Sequence, residues 1–326
     1  IYLGGNIIKM KVSDIDLYEI NNFSELLNAY GEGGGFIAKN VNLALETLLE
    51  MYNDKDCVVF LAFTADVVAT GLRGVLKTIV EKGFADVILT TVGSLDHDIA
   101  RSHKPYLQGS FHAQDKDLLK KNIHRLGNIF VPRDSYGDIL EKVLQPVFND
   151  MWEKNIREIS SYEFTDILGS KIAKKDSILY WASKNRVPVI IPGPLDGAVG
   201  SQLWFFQQAH RDLRLNLFKD ETLLSDITFE AKKTGAIIIG GGISKHHLLW
   251  WNQFRGGLDY AVQITTATEF DGSLSGARLS EAVSWGKISE KAKYVDVWCE
   301  ATVITPLIFK SVLEKINTRK KSKDFI

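Results

Sequence analysis

Cysteine is nearly missing from this chain. Cys57 and Cys299 are the two among 326 residues, each inside an apolar run, CVVFLAF and VDVWCEATV. That scarcity excludes a disulfide framework or a thiolate zinc cluster and makes both thiols core residues of a reducing compartment. Charge of one sign is missing too: 39 basic residues face 40 acidic ones, a net charge of -1. Such a balance leaves no electrostatic footprint for nucleic acid or an anionic membrane, so partners are sought in local sites. No apolar run approaches the roughly 20 residues of a membrane span. The N-terminal stretch IYLGGNIIKMKVSD lacks the long apolar core of a signal peptide, so the expected location is the cytoplasm. Linkers, repeats and low-complexity segments are absent as well, which favours a single domain over 1–326.

What is present is a set of short β-branched runs: CVVFLAFT (57–64), ADVILTTV (85–92), VPVIIPG (187–193), GAIIIGG (235–241), DYAVQITT (259–266) and YVDVWCEA (294–301). Runs apolar on both faces, separated by helix-length segments, mark a mostly parallel sheet covered on both sides. The fold class is therefore α/β, a doubly wound Rossmann-like sheet flanked by helices with right-handed crossovers. Helical spacing recurs at Thr70–Lys82 and at Thr305–Lys315, the latter with Pro306 in its first turn. Residues 112–186 are charge-rich and read as a mainly helical insertion, clearest in FNDMWEKNIREISSYEF and SKIAKKDSILYWASKN. The basic end RKKSKDFI reads as a solvated tail.

Ligands of open parallel sheets sit beyond the carboxyl ends of the strands. The loops there are rich in small residues, hydroxyls and carboxylates, which suggests one long polar cleft. Gly240, Gly241 and Gly242 follow a strand and open a helix, either facing an anion with their amides or serving a tight turn. Asp196 and Glu300 stand at strand ends as candidates for ribose hydroxyls or for helix caps. His246 and His247 lie about 100° apart on a helix, so only one faces a given site, and no third ligand is spaced for a metal. Glu281 and Trp285 share a helical face and offer a carboxylate and an indole to a cation. Gly286 then breaks the turn and leaves room beside Lys287. A lysine against an aromatic wall becomes a nucleophile when desolvation frees its neutral amine. The alternative is a lysine snorkelling over a tryptophan.

The segments IIIGGGISKHH, DYAVQITTATEFDGSLSGAR and EAVSWGK closely resemble the deoxyhypusine synthase family. Likeness extends to FTADVVATG, DVILTTVGSLDHDIAR, NIFVPRDSYGDI and YWASKNRVPVIIPGPLDGAVG, most of residues 55–310, while residues 1–50 match only loosely, as an N-terminal extension. The resemblance, to archaeal members especially, implies an NAD-dependent transferase. It would move the 4-aminobutyl group of spermidine, as an imine on Lys287, to one lysine of the translation initiation factor 5A precursor. His246 would accept a proton during amine oxidation, and Glu281 with Trp285 would grip the polyamine. Further polyamine contacts are implied at Asp96, His97, Ser201 and Gly241, and at Trp250, Gly272, Ser273 and Leu274. Contacts to NAD are implied at Thr64, Ala65, Asp66 and Ala69, at Thr91, Val92 and Gly93, and at Asp196, Thr266, Ala267, Glu300 and Ala301. A homotetramer with sites paired at a subunit interface is implied too.

Four positions depart from eukaryotic members: Ser201, Leu274, Trp250 and His97 replace acidic or amide groups. Asp66, Asp96, Asp98 and Glu269 are the nearby carboxylates to compensate. The same chemistry would serve a homospermidine synthase with putrescine as acceptor. The departures would suit a catalytically impaired partner subunit of an active synthase.

Overall fold

The computed structural model describes residues 11–319 and 324–326. The first ten residues of the N-terminal stretch and residues 320–323 of the basic tail lie outside them. The six apolar runs become the six strands of one sheet: β1 (Cys57–Phe63), β2 (Val87–Thr90), β3 (Val189–Ile190), β4 (Lys233–Ile239), β5 (Leu258–Thr265) and β6 (Ile288–Trp298). Their spatial order is β6-β5-β4-β1-β2-β3, and every pairing is parallel. In β1 each residue is buried, with Val59, Leu61 and Phe63 in one core and Val58, Phe60 and Ala62 in the other. A strand covered on both faces has no polar side to show, hence the continuous apolar run. Each such side chain, fully buried, contributes about 1.5–3 kcal/mol.

On one face lie α1 (Phe23–Gly33), α2 (Phe36–Asn53), α3 (Leu72–Glu81), α4 (Val92–His103) and, from the chain's end, Ala301–Lys315. Residues 23–53 are integral to this layer, because α2 packs across β5 and β6. Residues of Phe218–Glu230, of α5 (Gly242–Gln253) and of α6 (Leu279–Ser284) build the core of the opposite face. The chain moves from β1 outward to β2 and β3, then returns to place β4 on the other flank of β1. That reversal opens a crevice between the carboxyl ends of β1 and β4.

Three sequence expectations need correction. Residues 112–186 hold four helices, Asp115–Lys120, Gly137–Glu153, Ser161–Ile172 and Ile178–Lys184. They also hold the antiparallel strands Ile123–Leu126 and Ile129–Pro132, the second of which also pairs antiparallel with Leu107–Gln108. These strands are too short, and too evenly half-buried, to show a clean alternation, although the Gly127–Asn128 turn between two of them was a hairpin signal. Within the expected helical piece FNDMWEKNIREISSYEF, the helix is broken by Asn155 at φ 59 and a new one starts after Ser160, whose capping box with Glu163 opens it.

The last helix, α7 (Ala301–Lys315), begins before Thr305, with Glu300 as its N-cap, so Pro306 lies in the second turn and not the first. Arg319, read as part of a solvated tail, is buried. Its guanidinium donates to both oxygens of Asp86, at 3.0 and 2.9 Å, and to Cys57 O at 2.5 Å. The amide of Val59 also donates to Asp86. The chain's end is thereby pinned beneath the amino ends of β1 and β2.

Candidate functional site

At the carboxyl edge of the sheet, Thr64 and Thr91 end β1 and β2 side by side. A Cβ on Gly93 would meet that of Ala65 at 2.9 Å, and one on Gly240 would sit 3.3 Å from Thr64. The backbones close to this distance only because glycine stands at both places. Gly240 and Gly242 take φ of 85 and 64, while a Cβ on Gly241 would strike Ser275. The triple glycine therefore serves the turn from β4 into α5 and a close approach of the 266–278 loop. No side chain caps α4 or α5 at the N-terminus, and the buried Thr91 hydroxyl has no partner. Two open helix starts, glycines at close backbone approaches and an orphaned hydroxyl along one crevice fit a dinucleotide. Arg101 steadies this edge by donating to Val68 O and Thr70 O.

Several of the expected contact residues have partners within the chain. Asp96 is buried and accepts from Tyr136 Oη at 2.7 Å and from the amides of Ala198 and Val199 at 2.9 and 2.8 Å, so it caps the helix Ala198–Ala209. Asp98 accepts from buried Arg73, from Ser177 and from the amides of Ile178 and Leu179. Glu269 pairs with Arg278, and Glu300 accepts from Val303 N as a cap. Asp66 and Asp196 remain exposed beside the crevice, as do Thr266 and Ser201, while Ala69 and Val92 are buried under it. His97 lies between Tyr106 and Tyr136, with Nδ1 2.9 Å from Tyr106 Oη, and burial lowers its pKa.

Lys287 stands at the other end of the strands, immediately before β6. Its amide donates to Ala282 O and that of Gly286 to Val283 O, both at 3.0 Å, with Gly286 at φ 67. Paired bonds of this kind form a Schellman cap on α6. A Cβ on Gly286 would meet nothing within 4 Å, so the glycine is there for its positive φ and not to leave room. The carbonyl of Lys287 accepts from Leu258 N at 3.1 Å. With both backbone groups bound, the side chain projects from a fixed point.

Lys287 Nζ lies 5.2 Å from the Trp285 ring centroid and 5.8 Å from that of Trp250, on which His246 stacks at 5.9 Å. Burial and then the Lys287 charge lower the His246 pKa. His247 points elsewhere, its Nε2 3.1 Å from Glu221 Oε1 but off the hydrogen-bonding axis. Trp285 is 66% and Trp250 42% exposed, so the aromatic wall is open in the single chain. Glu281 sits exposed in the first turn of α6.

These residues do not form one cleft within a chain. Lys287 adjoins Ile288, the partner of Leu258 at the start of β5, whereas Thr266 and Ala267 follow its end. The seven steps between Leu258 and Thr265 amount to roughly 20 Å of strand. The Lys287 group and the carboxyl-edge crevice are thus two separate candidate half-sites.

Two residues of the site escaped the sequence reading. Lys245, only 1% exposed, donates from Nζ to Leu274 O at 2.8 Å and Ala277 O at 2.6 Å. Gln263, fully buried, donates to Ser275 O at 2.9 Å. Burial pushes the Lys245 amine down to about 8, against the fields of Asp296 and Glu281. Their signal was present as a glutamine inside an otherwise apolar strand and a lysine on the core side of a helix. A cavity of about 660 Å³ lined by Asn155–Ile159 and Ile326 contains none of the expected residues. Among the described residues no His, Cys, Asp and Glu cluster could hold a metal ion, and no helix is long and apolar enough to cross a membrane.

A family model described as deoxyhypusine synthase matches residues 25–312. The chain is 51% identical over 308 residues to a probable deoxyhypusine synthase of Picrophilus torridus, covering 94% of this chain and 98% of that one. It is 46% identical over 307 residues to one from Thermoplasma acidophilum, with the same coverage. Among solved structures, a provisionally assigned deoxyhypusine synthase from Entamoeba histolytica superposes with a TM-score of 0.66 at 20% identity, covering 96% of this chain and all of that one, a likeness of fold.

Proposed function

Because this chain belongs to the deoxyhypusine synthase family, we propose that Lys287 carries the 4-aminobutyl group of spermidine to a lysine of the translation initiation factor 5A precursor. The observation that carries this reading is the Lys287 amine, fixed through its own backbone, set between the Trp250 and Trp285 rings and close enough to His246 to lower its pKa. Bound NAD supplies the acceptor for the two electrons of amine oxidation and, once reduced, the donor for the final step. Thr64 to Ala69, Thr91 to Gly93, Asp196, Thr266, Ala267 and the start of α7 are the residues to hold it.

As spermidine's secondary amine is oxidised to an imine, His246, neutral near pH 7, takes the proton released. The Lys287 amine then adds to the imine carbon and 1,3-diaminopropane leaves, so the butyl unit is held as an imine on Lys287. The acceptor lysine displaces Lys287 in the same manner, and reduction of the new imine completes the transfer. Trp285 and Trp250 present π faces to the polyamine cation, with Glu281 offering its carboxylate.

Oxidation needs the reacting atoms within about 3–3.5 Å, and one chain holds its two half-sites far apart. That separation supports the reading of a homotetramer with sites at an interface, where one protomer's carboxyl edge would meet its partner's Lys287. The exposed indoles of Trp285 and Trp250 suit burial there. Incubating the protein with NAD, spermidine and the factor tests the activity. Transfer to the factor's lysine is expected and should vanish in Lys287→Ala, whereas undiminished transfer by that variant would refute the carrier role.

A further inference from the structure

The 266–278 loop has little regular structure beyond one short 3-10 turn, yet it is held closely. Gly276 packs so near Thr268 that a Cβ would lie 1.9 Å from its carbonyl oxygen, and Gly241 abuts Ser275 as tightly. Within the loop, Gly276 N and Ala277 N both donate to Ser273 O at 3.1 Å. Three carbonyls of the loop face the protein interior and are met there by buried donors. Leu274 O and Ala277 O receive the Lys245 ammonium, and Ser275 O receives the Gln263 amide. Neither donor touches solvent appreciably, at 1% and 0% exposure.

A buried lysine costs far more than an apolar residue of its length unless its hydrogen bonds are needed. Lys245 directly precedes His246 on α5, and the loop it holds runs straight into α6, whose cap aims Lys287. The chain thereby ties the base, the loop and the carrier to one buried cation. Lys245 has no path to substrate of its own, because its amine is directed into the protein.

We propose that Lys245 and Gln263 are positioning residues that fix the Gly272–Leu274 segment relative to His246 and Lys287. The inference rests on the reading of Gly272, Ser273 and Leu274 as polyamine contacts. Through them the loop presents a preformed wall to the polyamine, and the two donors act on substrate binding without contacting it.

Lys245→Met and Gln263→Leu in the full-length protein test this. Both variants keep side-chain volume and remove the donor. Each should raise KM for spermidine about tenfold, the loss expected when charged or buried carbonyl partners go unmet, with NAD affinity and kcat little changed. Amide exchange over 266–278 should quicken while β1 and β4 keep their protection. The double variant should fall short of the product of the single effects, since both act through one loop.

An unchanged KM beside a lowered Tm would make both residues structural only and overturn the proposal. Should Lys245→Met fail to fold, Gln263→Leu carries the same comparison. If the unaltered protein fails to turn over spermidine, the functional reading falls, and the exchange measurement still decides whether the two donors hold the loop.

Discussion

The environment of His246, Lys287 included, biases it toward the neutral form. Burial and the neighbouring ammonium both disfavour the imidazolium, so the His246 pKa lies below its ordinary value near 6.5. The base form then persists below the pH at which a free imidazole would be protonated, and proton acceptance is lost only as pH falls through the lowered value. The acid limb of spermidine-dependent NAD reduction should accordingly have its midpoint below pH 6.5. A midpoint at or above that would mean His246 is not the acceptor. Linkage runs the same way: the unfolded chain takes up this proton first as pH drops below about 6.5, so His246 subtracts stability there and nothing above it.

The grouping of Lys287, Trp285, Trp250 and His246 was partly legible in the sequence, because Trp285–Gly286–Lys287 and the paired histidines are local. Lys245 and Gln263 could be suspected from their polar character at core positions, but their partners, being backbone carbonyls, are revealed by no side-chain spacing. The capping role of Asp96 was hidden likewise, because its partners Ala198 and Val199 are a hundred residues away.

At the scale of elements, the six strands could be read directly because burial on both faces leaves a continuous apolar run. The antiparallel strands at 107–132 could not, being two to four residues long and mostly only half-buried. The start of α7 was missed because its first turn, Ala301–Ile304, is rich in β-branched residues that read as strand. The largest reversal concerns Arg319, whose position in a basic stretch suggested solvent. Instead its guanidinium joins α7's trailing segment to Asp86 and to β1. Arg319→Met removes the cation from a buried carboxylate and should cost about 3–5 kcal/mol, read as a lower urea midpoint. A change under about 0.5 kcal/mol, typical of surface positions, would return Arg319 to the solvated tail.

For the whole molecule, the separation of the half-sites makes a sharp demand on assembly. Lys287→Ala and Asp196→Arg should each be inactive alone, one lacking the carrier and the other crowding the crevice. Refolded or coexpressed together, they should regain activity, because a mixed interface contains one site with both halves intact. Random pairing across an isologous contact makes that about a quarter of all sites. A site complete within one chain would leave every protomer defective and the mixture dead.

The most direct test of the central claim is covalent. Protein incubated with spermidine and NAD is reduced with borohydride, digested and mapped by peptide mass. A butylamine-sized adduct on Lys287, dependent on both NAD and spermidine, is the predicted result. An adduct on another lysine, or none on a preparation that still transfers the group, would contradict it.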